Sequence, residues 1–167
     1  VVQTYFNAES AALEAEHRMR LPEGAIVSGF AIDLGQGFVQ AQVEPLISSG
    51  YQLSWDPRNA TTGRLSYDGP GQLRARVHPI APGATVRIQV RYAQWLHREQ
   101  DRRTYTYPMR TEGSVPPLVG ELRISVHTGG THAGAYRAGM GARLDGNDVI
   151  LRKSDWRPTS DFSLDLM

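Results

Sequence analysis

The chain contains no cysteine, so neither a disulfide framework nor a thiolate-ligated zinc site is open to it. It has a single lysine, Lys153; the other basic residues are all arginine. A formal net charge of +1 gives no overall pull toward nucleic acid or anionic lipid, and no nucleic-acid partner is expected. No apolar run approaches the roughly 20 residues of a membrane-spanning helix, so no direct membrane insertion is expected. No basic-then-apolar leader opens the chain; Val1 already falls in an apparent strand, and the chain reads as a fragment truncated at its N-terminus, for which a missing leader carries no weight. There is no Gly-x-Ser-x-Gly elbow, no phosphate-binding loop and no paired-histidine motif of zinc proteases, so the expectation is a protein that is not an enzyme and needs no cofactor.

What is present is turn chemistry. Seventeen glycines and ten prolines in 167 residues suit many short strands separated by turns and suit a helical bundle poorly. The expected fold class is all-β, an antiparallel β-sandwich with little helix. The length is enough for one domain with a real core.

The most informative stretch joins two alternating segments. Over residues 13–21, Leu13, Ala15, His17, Met19 and Leu21 share one side, while Glu14, Glu16, Arg18 and Arg20 share the other. A helix is the competing reading of residues 11–20, because Ala, Leu, Glu and Arg all favour it, but the parity of the charges argues for a strand. Leu21-Pro22-Glu23-Gly24 then supplies a turn, with φ fixed at Pro22 and free to be positive at Gly24. Beyond it, Ile26, Ser28, Phe30 and Ile32 share a parity that predicts one apolar face. Gly35-Gln36-Gly37 predicts a hairpin returning Val39 and Ala41 beside Ile32 and Phe30. Leu73, Ala75 and Val77, then Val86, Ile88, Val90 and Tyr92, predict two facing strands around Ala81-Pro82-Gly83, and these read as the strongest hairpin in the chain. Further strands are expected at residues 2–6, 51–55, 64–67, 105–109, 118–127 and 149–152, with Asp145-Gly146-Asn147 as a hairpin turn and an alternating terminal strand over 161–165.

Asn7, Leu13-Glu14-Ala15, Leu21-Pro22-Glu23-Gly24-Ala25 and Val27-Ser28-Gly29-Phe30, followed by Leu73-Arg74-Ala75-Arg76-Val77, Pro79-Ile80-Ala81-Pro82-Gly83 and the strand through Tyr92, resemble the VIT domain. That module is shared by vault-associated proteins and inter-alpha-trypsin inhibitor heavy chains and is common in bacterial envelope proteins. The resemblance covers residues 1–110 well and the remainder weakly. It implies a VIT-like core over 1–110, with 111–167 adding strands to the same sandwich in a single structural domain. It departs over residues 45–71, where the family carries a helix and this chain reads Pro45-Leu46-Ile47-Ser48-Ser49-Gly50-Tyr51. The implied function is a non-catalytic scaffold or protein-interaction module of a larger bacterial envelope or surface protein, periplasmic or secreted, with a von Willebrand factor A domain in the same chain as an implied partner.

Two surface constellations follow from strand parity. With Leu73, Ala75, Val77, Val86, Ile88 and Val90 inward, Arg74, Arg76, Arg87 and Arg91 point out, and in a hairpin they stud one interaction face. Either Glu14 and Glu16 pair with these cations, or the patch is open to carboxylate partners through bidentate contacts. The alternative function is a carbohydrate-binding sandwich in which Tyr51, Trp55 and Tyr67 stack on sugar rings. No metal site is expected: His127 and His132 flank a Thr-Gly-Gly-Thr loop without a third ligand, Asp161-Phe162-Ser163-Leu164-Asp165 lacks the last ligand of an Asp-x-Ser-x-Ser metal motif, and Asp145-Gly146-Asn147-Asp148 reads as a plain turn. His17 is expected in or beside the core. Asn59-Ala60-Thr61 is a formal glycosylation sequon.

Overall fold

A computed structural model describes residues 1–46, 50–54, 62–67, 71–110, 115–127 and 136–166, with side chains 42–46, 50–54, 62–64, 67 and 136 outside the description. No helix occurs among the described residues. The chain divides into two compact units, Val1–Gln94 and Trp95–Met167, each with its own hydrophobic core. The unit boundary thus falls earlier than residue 110, and residues 95–110 build the second unit.

In the first unit the strands are β1 (Val2–Phe6), β2 (Leu13–Arg20), β3 (Ile26–Asp33), β4 (Phe38–Gln40), β5 (Gln42–Leu46), β6 (Gly50–Ser54), β7 (Thr62–Tyr67), β8 (Gln72–Ile80) and β9 (Thr85–Ala93). They form two antiparallel sheets, one in the order β1-β9-β3-β4 and the other β2-β8-β7-β6-β5. Phe30, Ile32, Val86, Ile88 and Val90 from the first sheet meet Met19, Leu65, Leu73, Ala75, Val77 and Ile80 from the second in one core, so this unit is a β-sandwich. Residues 45–46 and 50–51, in the region where the family's helix was expected to be shortened or lost, belong to β5 and β6, which pair Pro45 with Tyr51.

The strongest expected hairpin is not one. β8 lies between β2 and β7, β9 lies between β1 and β3, and the two belong to different sheets. The turn at Ala81, Pro82, Gly83 and Ala84 is as expected, with Gly83 at φ 70° and Ala84 N–H donating to Ala81 O at 3.1 Å, but it arches the chain across the sandwich. A hairpin would place both apolar faces on one side of one sheet; the arch lets them bury each other. Asn7 holds the arch. Its Nδ2 donates to Ile80 O and Ala11 O at 2.9 Å each, its N–H donates to Ala84 O, and its carbonyl accepts from Gly83 N–H. That is why a buried asparagine stands at this point of the motif.

The turn after β2 is also an arch, since β2 and β3 lie in different sheets. It is displaced by one residue from expectation: Ala25 N–H donates to Pro22 O at 3.1 Å, which puts Gly24, at φ 71°, in the third position of the turn. A Cβ at Gly24 would meet nothing within 4 Å, so a substitution there is penalised by backbone conformation and not by collision. Gly24→Val is expected to cost about 1 kcal/mol or more, read as a lower urea midpoint with an unchanged slope.

Parity in β3 differs from the sequence expectation for a physical reason. Val27 pairs with Tyr92 and Gly29 with Arg91, so Ser28 is an extra residue, a β-bulge that reverses inside and outside. Val27 therefore packs on the core, while Ile26 is 72% exposed. After the bulge Phe30 and Ile32 are buried as expected. The β3–β4 hairpin brings Ile32 opposite Val39, and Ala41 N–H donates to Phe30 O, as the Gly35-Gln36-Gly37 turn predicts.

The second unit contains β10 (Arg98–Glu99), β11 (Arg102–Tyr107), β12 (Val119–His127), β13 (Tyr136–Ala138), β14 (Arg143–Asp145), β15 (Asp148–Trp156) and β16 (Phe162–Leu166). Its sheets run β10-β11-β16-β13 and β12-β15-β14. Val149 and Leu151 from one sheet and Phe162 and Leu164 from the other close its core. The β14–β15 hairpin turns at Gly146 and Asn147 with Gly146 at φ 61°, the conformation its sequence requires.

Candidate interaction faces

Strand register places the charged residues. On the outer side of the β2–β8 pair, Glu16 stands opposite Arg76 and Arg18 opposite Arg74. Glu16 collects three guanidinium groups: Arg76 donates from Nε at 2.8 Å and Nη2 at 2.7 Å, Arg18 donates from Nε at 3.1 Å, and Arg74 Nε lies 3.9 Å away. The hydrogen bond from Arg76 is the largest reason the Glu16 carboxyl titrates below its ordinary range, with Arg18 and Arg74 adding to it. The expected carboxylate pairing is therefore realised, through Glu16, for Arg74 and Arg76.

Arg87 and Arg91 stand elsewhere. They lie on β9, in the other sheet, and point from the opposite outer face of the sandwich. The four arginines that a hairpin would have brought onto one face are thus split two and two. Arg87 pairs with Asp33, its strand neighbour, and its guanidinium lies 5.1 Å from the centre of the Phe38 ring. Asp33 is buried; burial pushes its carboxyl up in pKa, but N–H groups of Gly35 and Gly37, at 2.7 and 2.9 Å, together with Arg87 outweigh that and hold it below its ordinary value. Asp33 was not singled out from sequence, although the spacing Asp-Leu-Gly-Gln-Gly, a carboxylate before two turn glycines, carries the signal. Arg91 lies over Gly29, whose absent Cβ would sit 3.6 Å from the arginine Cδ, and donates to Gln89 Oε1 at 3.1 Å.

Arg74 is half-exposed and shares its carboxylate with two other cations. Arg74→Ala is expected to change stability by less than about 1 kcal/mol, the ceiling for an exposed ion pair, measured as a denaturant midpoint close to that of the parent protein.

Of the aromatic residues in the sugar-binding alternative, Tyr51 lies on β6 and Tyr67 on β7 by backbone, their side chains outside the description, and Trp55 lies outside the described residues. His132 and Asn59 also lie outside the described residues. His127 Nδ1 stands 2.6 Å from Asp148 Oδ1, across the β12–β15 ladder. Asp161 Oδ1 accepts from the N–H groups of Met109 and Arg110 at 2.8 Å each, and Asp165 Oδ1 accepts from the Thr104 hydroxyl, so both carboxylates of the motif-like terminal strand fasten neighbouring chain. Among the described residues no three His, Asp or Glu side chains gather as a metal site would require.

Residues 1–92 match the family described as Vault protein inter-alpha-trypsin domain, VIT. No curated protein matches the chain.

Proposed function

We infer that this chain, which belongs to the VIT domain family, serves as a non-catalytic protein-interaction or scaffold module within a larger bacterial envelope or surface protein, in which a von Willebrand factor A domain would be a neighbour. The family is one of interaction modules and is generally not enzymatic, and its match spans the first sandwich. The observation that carries the reading is the outer face of β2 and β8. There Arg18, Arg74 and Arg76 gather on Glu16, with Arg20 further along the same strand, on two strands joined by an antiparallel ladder over a packed core. Such a surface presents planar donors in a fixed geometry with an excess of positive charge, which suits an acidic protein segment. Glu16 sets the cost of binding, because an incoming carboxylate competes with it for Arg76 and Arg74.

The test is fluorescence anisotropy of a labelled peptide rich in Asp and Glu at two salt concentrations. Binding should weaken with salt and fall about ten-fold or more in the Arg74→Ala, Arg76→Ala double variant, one or two charge-assisted hydrogen bonds being worth that factor. Arg91→Ala, on the opposite sheet, should bind as the parent does. Equal binding by the double variant, or binding indifferent to salt, overturns the reading.

A further inference from the structure

In the second unit, alternation on β12 and β15 sorts apolar from charged side chains. Leu122, Ile124, Val126, Val149 and Leu151 pack into the core, so Arg123, Ser125, Ile150 and Arg152 lie on the outer side of the sheet. The registers set Arg123 directly opposite Arg152, Ser125 opposite Ile150, and Arg143 of β14 on the other side of Ile150. Three guanidinium groups and one hydroxyl thus surround a half-exposed isoleucine. Arg152 is central, with Arg123 across from it and Arg143 diagonal to it at a backbone spacing of about 7 to 8 Å. All three arginines are exposed, and none makes a hydrogen bond or ion pair with another described residue. Like charges placed directly opposite each other destabilise a sheet. On β2 and β8 the same chain carries the remedy: Arg18 stands opposite Arg74, and the Glu16 carboxylate lies 3.1 Å from the one and 3.9 Å from the other. On β12 and β15 no described carboxylate takes that place. Glu121 is one row away, opposite Ser154, and Asp145 and Asp148 lie at the far end of the face, where Asp148 is engaged by His127.

We propose that Arg123, Arg143 and Arg152, with the Ser125 hydroxyl, form a binding site for a phosphate monoester. An anion from outside stands there where Glu16 stands on the other sheet. Unlike Glu16 it is not tethered, so it must offset its lost freedom of motion, which a single carboxylate does poorly and a dianion held by several guanidinium forks does well. A phosphate monoester carries a charge of about −1.5 to −2 at neutral pH and three acceptor oxygens. Those oxygens splay toward separate arginines, whereas one fork already fills the two coplanar oxygens of a carboxylate. The ends of the face narrow the choice further. Glu121 at one end and Asp145 and Asp148 at the other are about 20 Å apart along the strands, so an extended polyanion lying along them meets like charge at both ends, while a single phosphoryl group fits between. This site lies in the second unit, and the proposal does not depend on the function inferred for β2 and β8.

The experiment is an NMR titration of the isotope-labelled full chain with glucose 6-phosphate and, separately, with a phosphoserine peptide, two sources of the same group. Dimethyl phosphate and acetate serve as singly charged controls. Either monoester should shift the resonances of Arg123, Arg143, Arg152 and Ser125 and saturate at millimolar concentration, and the tighter of the two identifies the source. Dimethyl phosphate and acetate should bind about ten-fold more weakly or less, having half the charge. Arg152→Gln should weaken monoester binding about ten-fold or more, since it removes the central charge-assisted hydrogen bonds. Its thermal midpoint should not fall, because the substitution also removes an opposed like charge, so lost binding is not lost folding. Arg137→Gln, on the other sheet of the same unit, should bind as the parent does. The proposal is overturned if neither monoester shifts these resonances, if either control binds as tightly, or if Arg152→Gln weakens binding no more than Arg137→Gln.

Discussion

Phe30→Ala is expected to lower the unfolding free energy by about 3 to 5 kcal/mol, a large share of the stability of a single domain. Phe30 is buried on β3, opposite Val90, in a core to which both sheets of the first unit contribute. Truncating the ring loses its transfer free energy and leaves a cavity that two sheets, locked by their ladders, cannot close. The informative comparison is Ile26→Ala. Ile26 shares the parity of Phe30 in the sequence, yet the bulge at Ser28 turns it to solvent, and its loss should cost within about 0.5 kcal/mol. In urea the Phe30 variant should unfold at least about 1 M earlier than the parent, with the Ile26 variant nearly superimposed on it. Equal costs at the two positions would mean that the bulge is not where the ladder puts it.

Acid should destabilise the first unit before its carboxylates protonate, and His17 should be the cause. Its ring lies on the inner side of β2, opposite Ala75, 5.7 Å from the ring of Tyr5 and tilted 50° to it, and its Nε2 has no hydrogen-bond partner among the described residues. Burial without a partner lowers its pKa from 6.5 to about 4. The unfolded chain therefore binds more protons than the folded one between pH 6.5 and about 4, so stability is intact above pH 6.5 and falls as the pH drops through this window. The full loss amounts to roughly 3 kcal/mol. The carboxyl of Glu16 acts in a lower range: its folded pKa lies below 4.5, so its contribution is lost only as pH falls beneath that value. His17→Leu keeps an apolar side chain of similar size and should flatten the profile between pH 6.5 and 4.5. Parallel profiles for the parent and His17→Leu would show that His17 is not the titrating group.

How much was readable in advance depends on the range of the interaction. The positions of β2, β8, β9, β12 and β16 follow from alternation within a few residues, and the turns at Gly24, Gly83 and Gly146 follow from the need for positive φ. The pairing of Glu16 with Arg74 and Arg76 was also readable as one of two outcomes, because opposite charges of the same parity on neighbouring strands attract. The shared face for Arg74, Arg76, Arg87 and Arg91 was not realised, since it rested on a hairpin that the chain does not make. Nor was the burial of Asp33 visible, because it depends on Arg87 arriving from a strand more than fifty residues away.

The sequence by itself determined that this protein is built of strands, which side of most strands is apolar, where the chain turns, and the family it belongs to. All of these are local: a two-residue period and a glycine with positive φ read the same whatever surrounds them. Only the tertiary structure decided which strands pair, that the turns at Pro22 and Pro82 are arches and not hairpins, that Ser28 is a bulge, and that the chain closes two cores instead of one. Two alternating strands joined by a short turn can lie side by side or face to face with the same local geometry. Burial of both apolar faces at once, with the buried backbone groups hydrogen-bonded to neighbours, selects between them, and those neighbours come from distant parts of the chain.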